Sequence, residues 1–385
     1  MFKKRKDYLV FGSPLIEEPE IQEVVDTLES AWLGTGPKVS KFEDIFKEYT
    51  GAEFAMALNS CTAGLHLAML VTGVRQGDEV ITTPLTFCST ANAIIHTGAT
   101  PVFVDVEKGS MNIDPAKIEE AITPRTRAII PVHLGGRPCN MDAIMDIAKR
   151  HDLLVIEDAA HCIEGWYNGK KIGNIGDMTC FSFYVTKNIV TGEGGMVTTN
   201  KEVWADKIKM YGLHGLSRDA WRRYSDEGFV HYQVIFPGYK YNMMDIQASL
   251  GLHQMKRIDK YLKRRKQIWE TYNKAFSSLP VICPADPEED TVHARHLYTL
   301  LIDIDKTKKT RDRVQQELHK LNIGTGIHFI SLHLHDYYRK TYGYKPEDFP
   351  NAKWISDRTI SLPLSAKLTD EDVEHVMRTM VEVLQ

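Results

Sequence analysis

Five short apolar runs, separated for the most part by helical stretches, constrain this chain more than anything else in it. They are FAMAL (54–58), EVITTP (79–84), TPVFVDV (100–106), RAIIPVHL (127–134) and LLVIEDA (153–159). Strands that face water on one side alternate apolar and polar residues. These runs do not alternate, so they read as strands covered on both faces, and the helices between them imply parallel crossovers. The expected architecture is α/β, with a mostly parallel, doubly wound sheet. Two helical patterns precede it. Residues 20–32 place Ile21, Val24, Val25, Leu28 and Trp32 on one face, and residues 38–50 do the same with Val39, Phe42, Ile45, Phe46 and Tyr49, with Gly51 ending the second helix.

From about residue 240 the pattern changes. A long helix through 278, the strand HLYTLLIDI, a helix over 310–322, the segment IGTGIHF and a final helix follow in turn. The last helix opens on a Thr369-x-x-Asp372 capping box and carries Val373, Val376, Met377, Met380 and Leu384 at helical spacing. With 385 residues, 43% of them hydrophobic, the chain can bury one large core and one smaller one. The expected division is a large ligand-binding domain over 1–250 and a small α+β domain over 251–385.

A formal charge of -4 offers no whole-molecule attraction to nucleic acid or to an anionic membrane. The start, MFKKRKDYLVFGSPLIEEPE, lacks an apolar run of signal-peptide length, and no stretch reaches the roughly 18 apolar residues of a membrane span. These features predict a cytosolic protein. The six cysteines, at 61, 88, 139, 162, 180 and 283, show no metal-binding spacing, and no metal is expected; the three that fall within the strand-end motifs, Cys61, Cys88 and Cys162, read as small buried packing residues.

In doubly wound sheets ligands bind beyond the carboxyl ends of the strands. The residues there are NSCTAGLHLAML after FAMAL, LTFCSTANA after EVITTP, DAAH after LLVIE, and VTKN after TCFSFY. Lys187, in FSFYVTKNIVTGEGGM, stands on a loop between a strand and a glycine turn, and Asp158 closes an earlier buried strand. A lysine and a buried acid at the mouth of one sheet are what pyridoxal phosphate requires. The amine forms a Schiff base with the cofactor aldehyde, and the acid keeps the pyridine nitrogen protonated so that the ring accepts electrons. Thr62 and Ala63 begin a helix, where free N–H groups and the helix dipole suit a phosphate, and Ser182 could add a hydroxyl. Phe87 reads as the end of a buried strand, where its ring could lie against the cofactor ring, and His161 could hydrogen-bond Asp158 or the ring hydroxyl. The Gly-Glu-Gly-Gly run lacks GxGxxG and precedes a strand, which argues against a dinucleotide fold.

The ordered set NSCTAGLHLA, IEDAAHCIEG, FSFYVTKNIVTGEGGM and PGYKYNMMDIQASLGLHQM resembles the DegT/DnrJ/EryC1/StrS family of sugar aminotransferases over nearly the whole chain. The resemblance implies the fold-type I architecture of pyridoxal 5'-phosphate enzymes. It implies a reaction between glutamate, leaving as 2-oxoglutarate, and a nucleotide-linked keto sugar, in a homodimer with shared sites. It assigns Lys187 the covalent link to the cofactor, Asp158 the pyridine nitrogen, and Thr62, Ala63 and Ser182 the phosphate. Phe87 stands where the nearest relatives often have Trp. The GYKYN loop reaches into the neighbouring subunit's site in this family, and many members carry Asn and Arg where this chain has Lys240 and Asn242. ITPRTRAIIPVHLGG, HGLSRDAW, GYKYN and GIGTGIHF are most similar to members that aminate carbon four of a UDP-sugar. His328 becomes a substrate-site candidate, and Arg218, Arg222 and Arg223, in a long polar connection, could grip a diphosphate. A sugar dehydratase of the same family would lack the lysine or add an iron-sulfur cysteine set, and a non-catalytic regulator would need a further module.

Overall fold

The computed structural model describes residues 4–217 and 232–384. In chain order its strands are β1 (Phe54–Leu58), β2 (Glu79–Thr82), β3 (Thr100–Phe103), β4 (Thr126–Ile129), β5 (Leu154–Asp158), the short pair β6 (Trp166–Tyr167) and β7 (Lys170–Lys171), β8 (Met178–Ser182), β9 (Gly195–Thr199), β10 (Val281–Ile282), β11 (Thr291–Val292), β12 (Tyr298–Ile302) and β13 (Thr359–Leu362). The five apolar runs are β1 to β5. They join β8 and β9 in a seven-stranded sheet ordered β1-β9-β8-β5-β4-β2-β3. Parallel pairs link β3, β2, β4, β5 and β8, while β9 runs antiparallel to both β8 and β1. Both faces are covered, as the unbroken hydrophobicity requires: Val80, Ile81, Ile129, Val155 and Ile156 are each 0% exposed.

β9 sets the level at which the motifs meet. Gly195 pairs with Leu58 on one side and with Ser182 on the other, so the ends of β1 and β8 come to the same height. A Cβ on Gly195 would lie 2.4 Å from the Ser60 carbonyl carbon. Only glycine lets this strand pass directly beneath the start of helix Cys61–Val71.

A second sheet, β10-β12-β13, packs against helices Ile258–Phe276, Arg311–Lys320 and Asp370–Leu384 through a separate core containing Trp269, Tyr272, Tyr298 and Val376. The Thr369/Asp372 capping box forms in both directions, at 3.1 and 3.0 Å. The expected long helix through 278 is in fact two, Asp245–Met255 and Ile258–Phe276, because Arg257 leaves helical geometry at ψ 2°. The N-terminal segment crosses to this part of the chain, where Leu9 bridges Ile323.

Helix Pro37–Thr50 buries Val39, Phe42 and Phe46 and ends on Gly51 at φ 74°. The helix before it differs from expectation in two ways. It stops at Glu29, leaving Trp32 beyond its end, and its buried residues are Glu20 and Thr27. Ile21, Val25, Leu28 and Trp32 are instead 50, 38, 54 and 48% exposed. Among the described residues no helix is long and apolar enough to cross a membrane.

Candidate active site

Beyond the carboxyl ends of β1, β5 and β8 lies a cavity of about 640 Å³, within the roughly 300–1,000 Å³ usual for small-molecule sites. Lys187, Asp158, Thr62, Ser182, Phe87, His161 and His328 all border it. Seven separated sequence positions therefore converge on one space.

Asp158 and Glu157 end the central strand and point to opposite faces, as strand geometry demands. Glu157 is fully enclosed by donors: the Gly176 N–H at 2.8 Å, the Thr179 hydroxyl at 2.7 Å and His133 Nε2 at 2.9 Å. Asp158 receives only the Thr90 hydroxyl at 2.8 Å and the Ala160 N–H at 3.2 Å. Burial pushes its carboxyl above the ordinary range, against the opposing pull of those donors and of Lys187. Among the described residues no cationic side chain forms an ion pair with Asp158, and a protonated pyridine nitrogen would supply that partner.

Lys187 is turned inward by a tight loop in which its own N–H donates to the Tyr184 carbonyl at 2.8 Å. Burial lowers its ammonium to about 8, with Asp158 and Cys61 pulling the other way. The amine can thus be free near neutral pH, which is the condition for nucleophilic attack and for carrying a proton.

At the start of helix Cys61–Val71, Ser60 is the cap, and its hydroxyl accepts the Ala63 N–H at 3.1 Å. Ala63 therefore has no free N–H and does not line the cavity, whereas Ser60, Cys61 and Thr62 do. Ser182 accepts the Tyr184 N–H at 3.3 Å, and its hydroxyl hydrogen stays available for a phosphate. Phe87 does not end a strand, since β2 stops at Thr82. It occupies the cap position before helix Cys88–His96 with 58% exposure, and its ring centre lies 6.0 Å from that of Phe329.

His161 does not touch Asp158. Its Nδ1 accepts the Gly135 N–H at 3.2 Å, so the neutral ring carries its hydrogen on Nε2. His328 Nδ1 lies 2.9 Å from the Ser361 hydroxyl. Burial, then the charge of Lys187, holds both imidazoles far below their usual range, His328 at about 3. They face the site uncharged.

Two contributors were not read from the sequence. His296 borders the cavity and its ring centre is 4.6 Å from that of His161. Asn188, the residue after Lys187, gives its amide hydrogens to Glu164 at 2.7 Å and to the Ala294 carbonyl at 3.2 Å. Its oxygen must then accept from His296 Nδ1 at 3.0 Å. This fixes the opposite tautomer from that of His161 and turns a bare Nε2 lone pair outward. Glu164 is held in turn by Arg265 in a pair buried on both sides. The only hint in the sequence is the polar cluster HARH just ahead of a buried strand.

Lys240 and Asn242 do not reach this cavity within the chain. Lys240 bridges Leu213, and Asn242 bridges Leu58 while donating to the Thr35 hydroxyl at 2.7 Å. Asn242 borders a second cavity, about 560 Å³, with Trp32, Thr35, Glu43 and Lys209. Arg218, Arg222 and Arg223 lie outside the described residues. Of the three cysteines in the site motifs, Cys61 and Cys162 are buried as expected, and Cys88 is half-buried.

A mostly parallel sheet presenting a buried lysine and a buried acid to one cavity, with a helix N-terminus beside them, defines a fold-type I pyridoxal-phosphate enzyme. The model of the DegT/DnrJ/EryC1/StrS aminotransferase family matches residues 14–381, and the chain belongs to that family, whose cofactor is pyridoxal phosphate. It is 52% identical over 386 residues to the spore coat polysaccharide biosynthesis protein SpsC of Bacillus subtilis, covering 100% of this chain and 99% of that one. Among solved structures, the putative sugar aminotransferase Spr1654 of Streptococcus pneumoniae in its PMP form superposes with a TM-score of 0.90 at 35% identity, covering 98% of this chain and 97% of that one. PseC of Helicobacter pylori, an aminotransferase involved in the biosynthesis of pseudoaminic acid, gives 0.90 at 27%, covering 98% and 99%.

Proposed function

We propose that this protein transfers an amino group from glutamate to the keto group of a sugar carried on a nucleoside diphosphate, carbon four of a UDP-sugar being the form its motifs favour. The observation that carries the reading is Lys187 and Asp158 on one cavity, each buried and each displaced from its ordinary ionisation by that burial. The names of SpsC, a spore coat polysaccharide biosynthesis protein, and of PseC, an aminotransferase involved in the biosynthesis of pseudoaminic acid, support a sugar acceptor.

In this reading Lys187 would hold the cofactor aldehyde, Asp158 the ring nitrogen, and Thr62, Ser182 and the first N–H groups of helix Cys61–Val71 the phosphate. Phe87 would flank the ring. When bound, pyridoxal phosphate supplies an electron sink for charge that develops on the substrate carbon. Displaced by an amino donor, Lys187 Nζ takes a proton and returns it, a role matched to an ammonium that titrates at about 8. His161 offers a hydrogen from Nε2 and His296 a lone pair, so a polar substrate meets one donor and one acceptor without a charge. Phe11, Tyr184 and Phe329 add apolar surface to the cavity wall.

The exposed row Ile21, Val25, Leu28, Trp32 and the neighbouring Leu33 supports a homodimer. Lys240 and Asn242, which miss their own chain's site, would then act in the partner's.

The test is a panel of nucleotide keto sugars with glutamate, followed by 2-oxoglutarate release and by the cofactor absorbance. Turnover on a UDP-linked 4-keto sugar, abolished in Lys187→Ala and reduced by at least about 100-fold in Asp158→Asn, is expected. Amination retained in Lys187→Ala would refute the assignment.

A further inference from the structure

Thr90 does not border the lysine cavity, yet it holds the acid that does. It sits in the first turn of helix Cys88–His96, and its hydroxyl donates to Asp158 Oδ2 at 2.8 Å. Four residues earlier, just ahead of the helix, Thr86 Oγ1 lies 2.9 Å from Thr90 Oγ1. Thr86, Thr90 and Asp158 are 2, 0 and 5% exposed, and Thr86 and Asp158 line the cavity. A hydroxyl has one hydrogen, and an ionised carboxylate only accepts. Thr90 therefore gives its hydrogen to Asp158, and Thr86 must donate to Thr90.

This is not the usual bond for a helical threonine. Thr27, Thr50, Thr271 and Thr379 all donate to the carbonyl four residues earlier on their own helix. Thr90 instead reaches the end of β5, 68 positions along the chain. Packing alone does not call for a hydroxyl here, because valine has the same shape and brings no polar atom to bury. With Oδ2 tied to Thr90, Asp158 Oδ1 carries only the longer bond from the Ala160 N–H at 3.2 Å, and one of its lone pairs stays open. Phe87 lies between the two threonines, so one turn carries both the hold on the acid and the ring-flanking side chain.

We propose that Thr90, oriented by Thr86, is a positioning residue that fixes the Asp158 carboxylate through Oδ2 and leaves Oδ1 for the pyridine N–H of the cofactor. It rests on the reading of Asp158 as the partner of that nitrogen. Losing the Thr90 hydrogen favours the neutral acid and adds to the upward push that burial already exerts. A neutral Asp158 no longer keeps the ring nitrogen protonated, and the ring then accepts electrons less well. Lys187, His133, Cys61, Cys139 and Cys180 also face Asp158, from other elements. They keep their places in every variant below, so their effects cancel in the comparison.

The first experiment unfolds the cofactor-free, full-length protein in urea at pH steps from about 4 to 8, as parent, Thr90→Val, Asp158→Asn and the double variant. Over the range where only the Thr90→Val protein still holds the Asp158 proton, its stability keeps falling with pH while that of the parent has levelled. The gap between them should thus widen as pH rises, and it should stay constant in the Asp158→Asn background. The second uses holoenzyme loaded with pyridoxal phosphate carrying nitrogen-15 in its ring. Thr90→Val should move the ring-nitrogen signal toward the unprotonated form and weaken cofactor binding about tenfold. It should lower kcat roughly tenfold with the KM for glutamate little changed. Thr90→Ser restores the hydroxyl and should return all three. If Thr90→Val fails to fold, Thr86→Val, which removes only the orienting hydrogen, should give smaller changes of the same sign. A gap that ignores pH, or an unmoved ring-nitrogen signal, overturns the proposal. Were Asp158→Asn itself to leave that signal and kcat unchanged, the reading of Asp158 would fall too, a result distinct from silence in Thr90→Val alone.

Discussion

Asn188 receives the Nδ1 hydrogen of His296 at 3.0 Å, and this one contact joins the residue after Lys187 to a second imidazole in the cavity. Because Glu164 and the Ala294 carbonyl occupy both amide hydrogens, the direction of the bond is forced. Asn188→Ala removes the acceptor and frees the His296 proton to move to Nε2. The variant should lose about 1–2 kcal/mol of stability, and kcat should fall roughly 10- to 100-fold through misplacement of the lysine loop. Nitrogen-15 NMR of labelled histidine reads the tautomer directly. An unchanged Nδ1–H form in the variant would show that Asn188 is not what sets it.

Lys187 makes a prediction about pH that does not involve turnover. An unfolded lysine keeps its proton to 10.5, and in the folded, cofactor-free protein this one releases it at about 8. Between those values the unfolded state binds more protons, so stability rises with pH; below about 8 the cost of burying the ammonium is fully present. At 1.36 kcal/mol per unit this is on the order of 3 kcal/mol. Cofactor-free Lys187→Met should therefore melt several degrees above the unsubstituted protein at pH 7. The gap should close as pH climbs from 8 toward 10.5. Parallel melting curves at every pH would contradict the burial of this amine.

How much of this was legible beforehand follows from range. The parallel strands could be read because a strand buried on both faces writes its environment into five consecutive residues. Lys187, Asp158 and Thr62 could be found because topology places every strand end of one polarity on the same side. His296 could not, since its place depends on Asn188 and Glu164, 108 and 132 positions away in the chain, and neither leaves a periodic trace. Ala63 was misassigned for a local reason: the pattern announces a helix start, but not that Ser60 takes the Ala63 N–H. The face bearing Ile21 and Leu28 carried a correct apolar period and a wrong inference, since it is exposed in the folded chain. Periodicity marks an apolar face without saying which element, if any, of the same chain covers it.

That face yields the next prediction. Leu28 is 54% exposed and Trp32 48%, beside the second cavity that Trp32 and Asn242 share. Leu28→Glu places a charge in the proposed contact between copies while touching nothing in its own core. Sedimentation should show a shift from dimer to monomer, with circular dichroism unchanged. Activity should fall with it, because Lys240 and Asn242 would no longer reach a partner's site. A Leu28→Glu protein that sediments as the parent does would exclude this surface as the interface.

Asp245 tests the scaffold under the same surface. Fully buried at the start of helix Asp245–Met255, its carboxylate accepts the N–H groups of Gly36, Val39 and Lys38 at 2.8, 3.0 and 3.1 Å. It thereby caps helix Pro37–Thr50 from 206 to 209 positions away in the chain, in the absence of any side-chain cap at Gly36. Helix starts leave four N–H groups open, and a buried start without acceptors is costly. Asp245→Ala strands three of them and should lower stability by roughly 2–4 kcal/mol, the sum of a lost cap and of charge-assisted bonds. Asp245→Asn keeps one acceptor oxygen and should recover part of the loss. Urea unfolding gives both numbers. A loss in Asp245→Ala no larger than about 0.5 kcal/mol, the ordinary scale of a surface substitution, would mean that the helix is held by Phe42 and Phe46 alone.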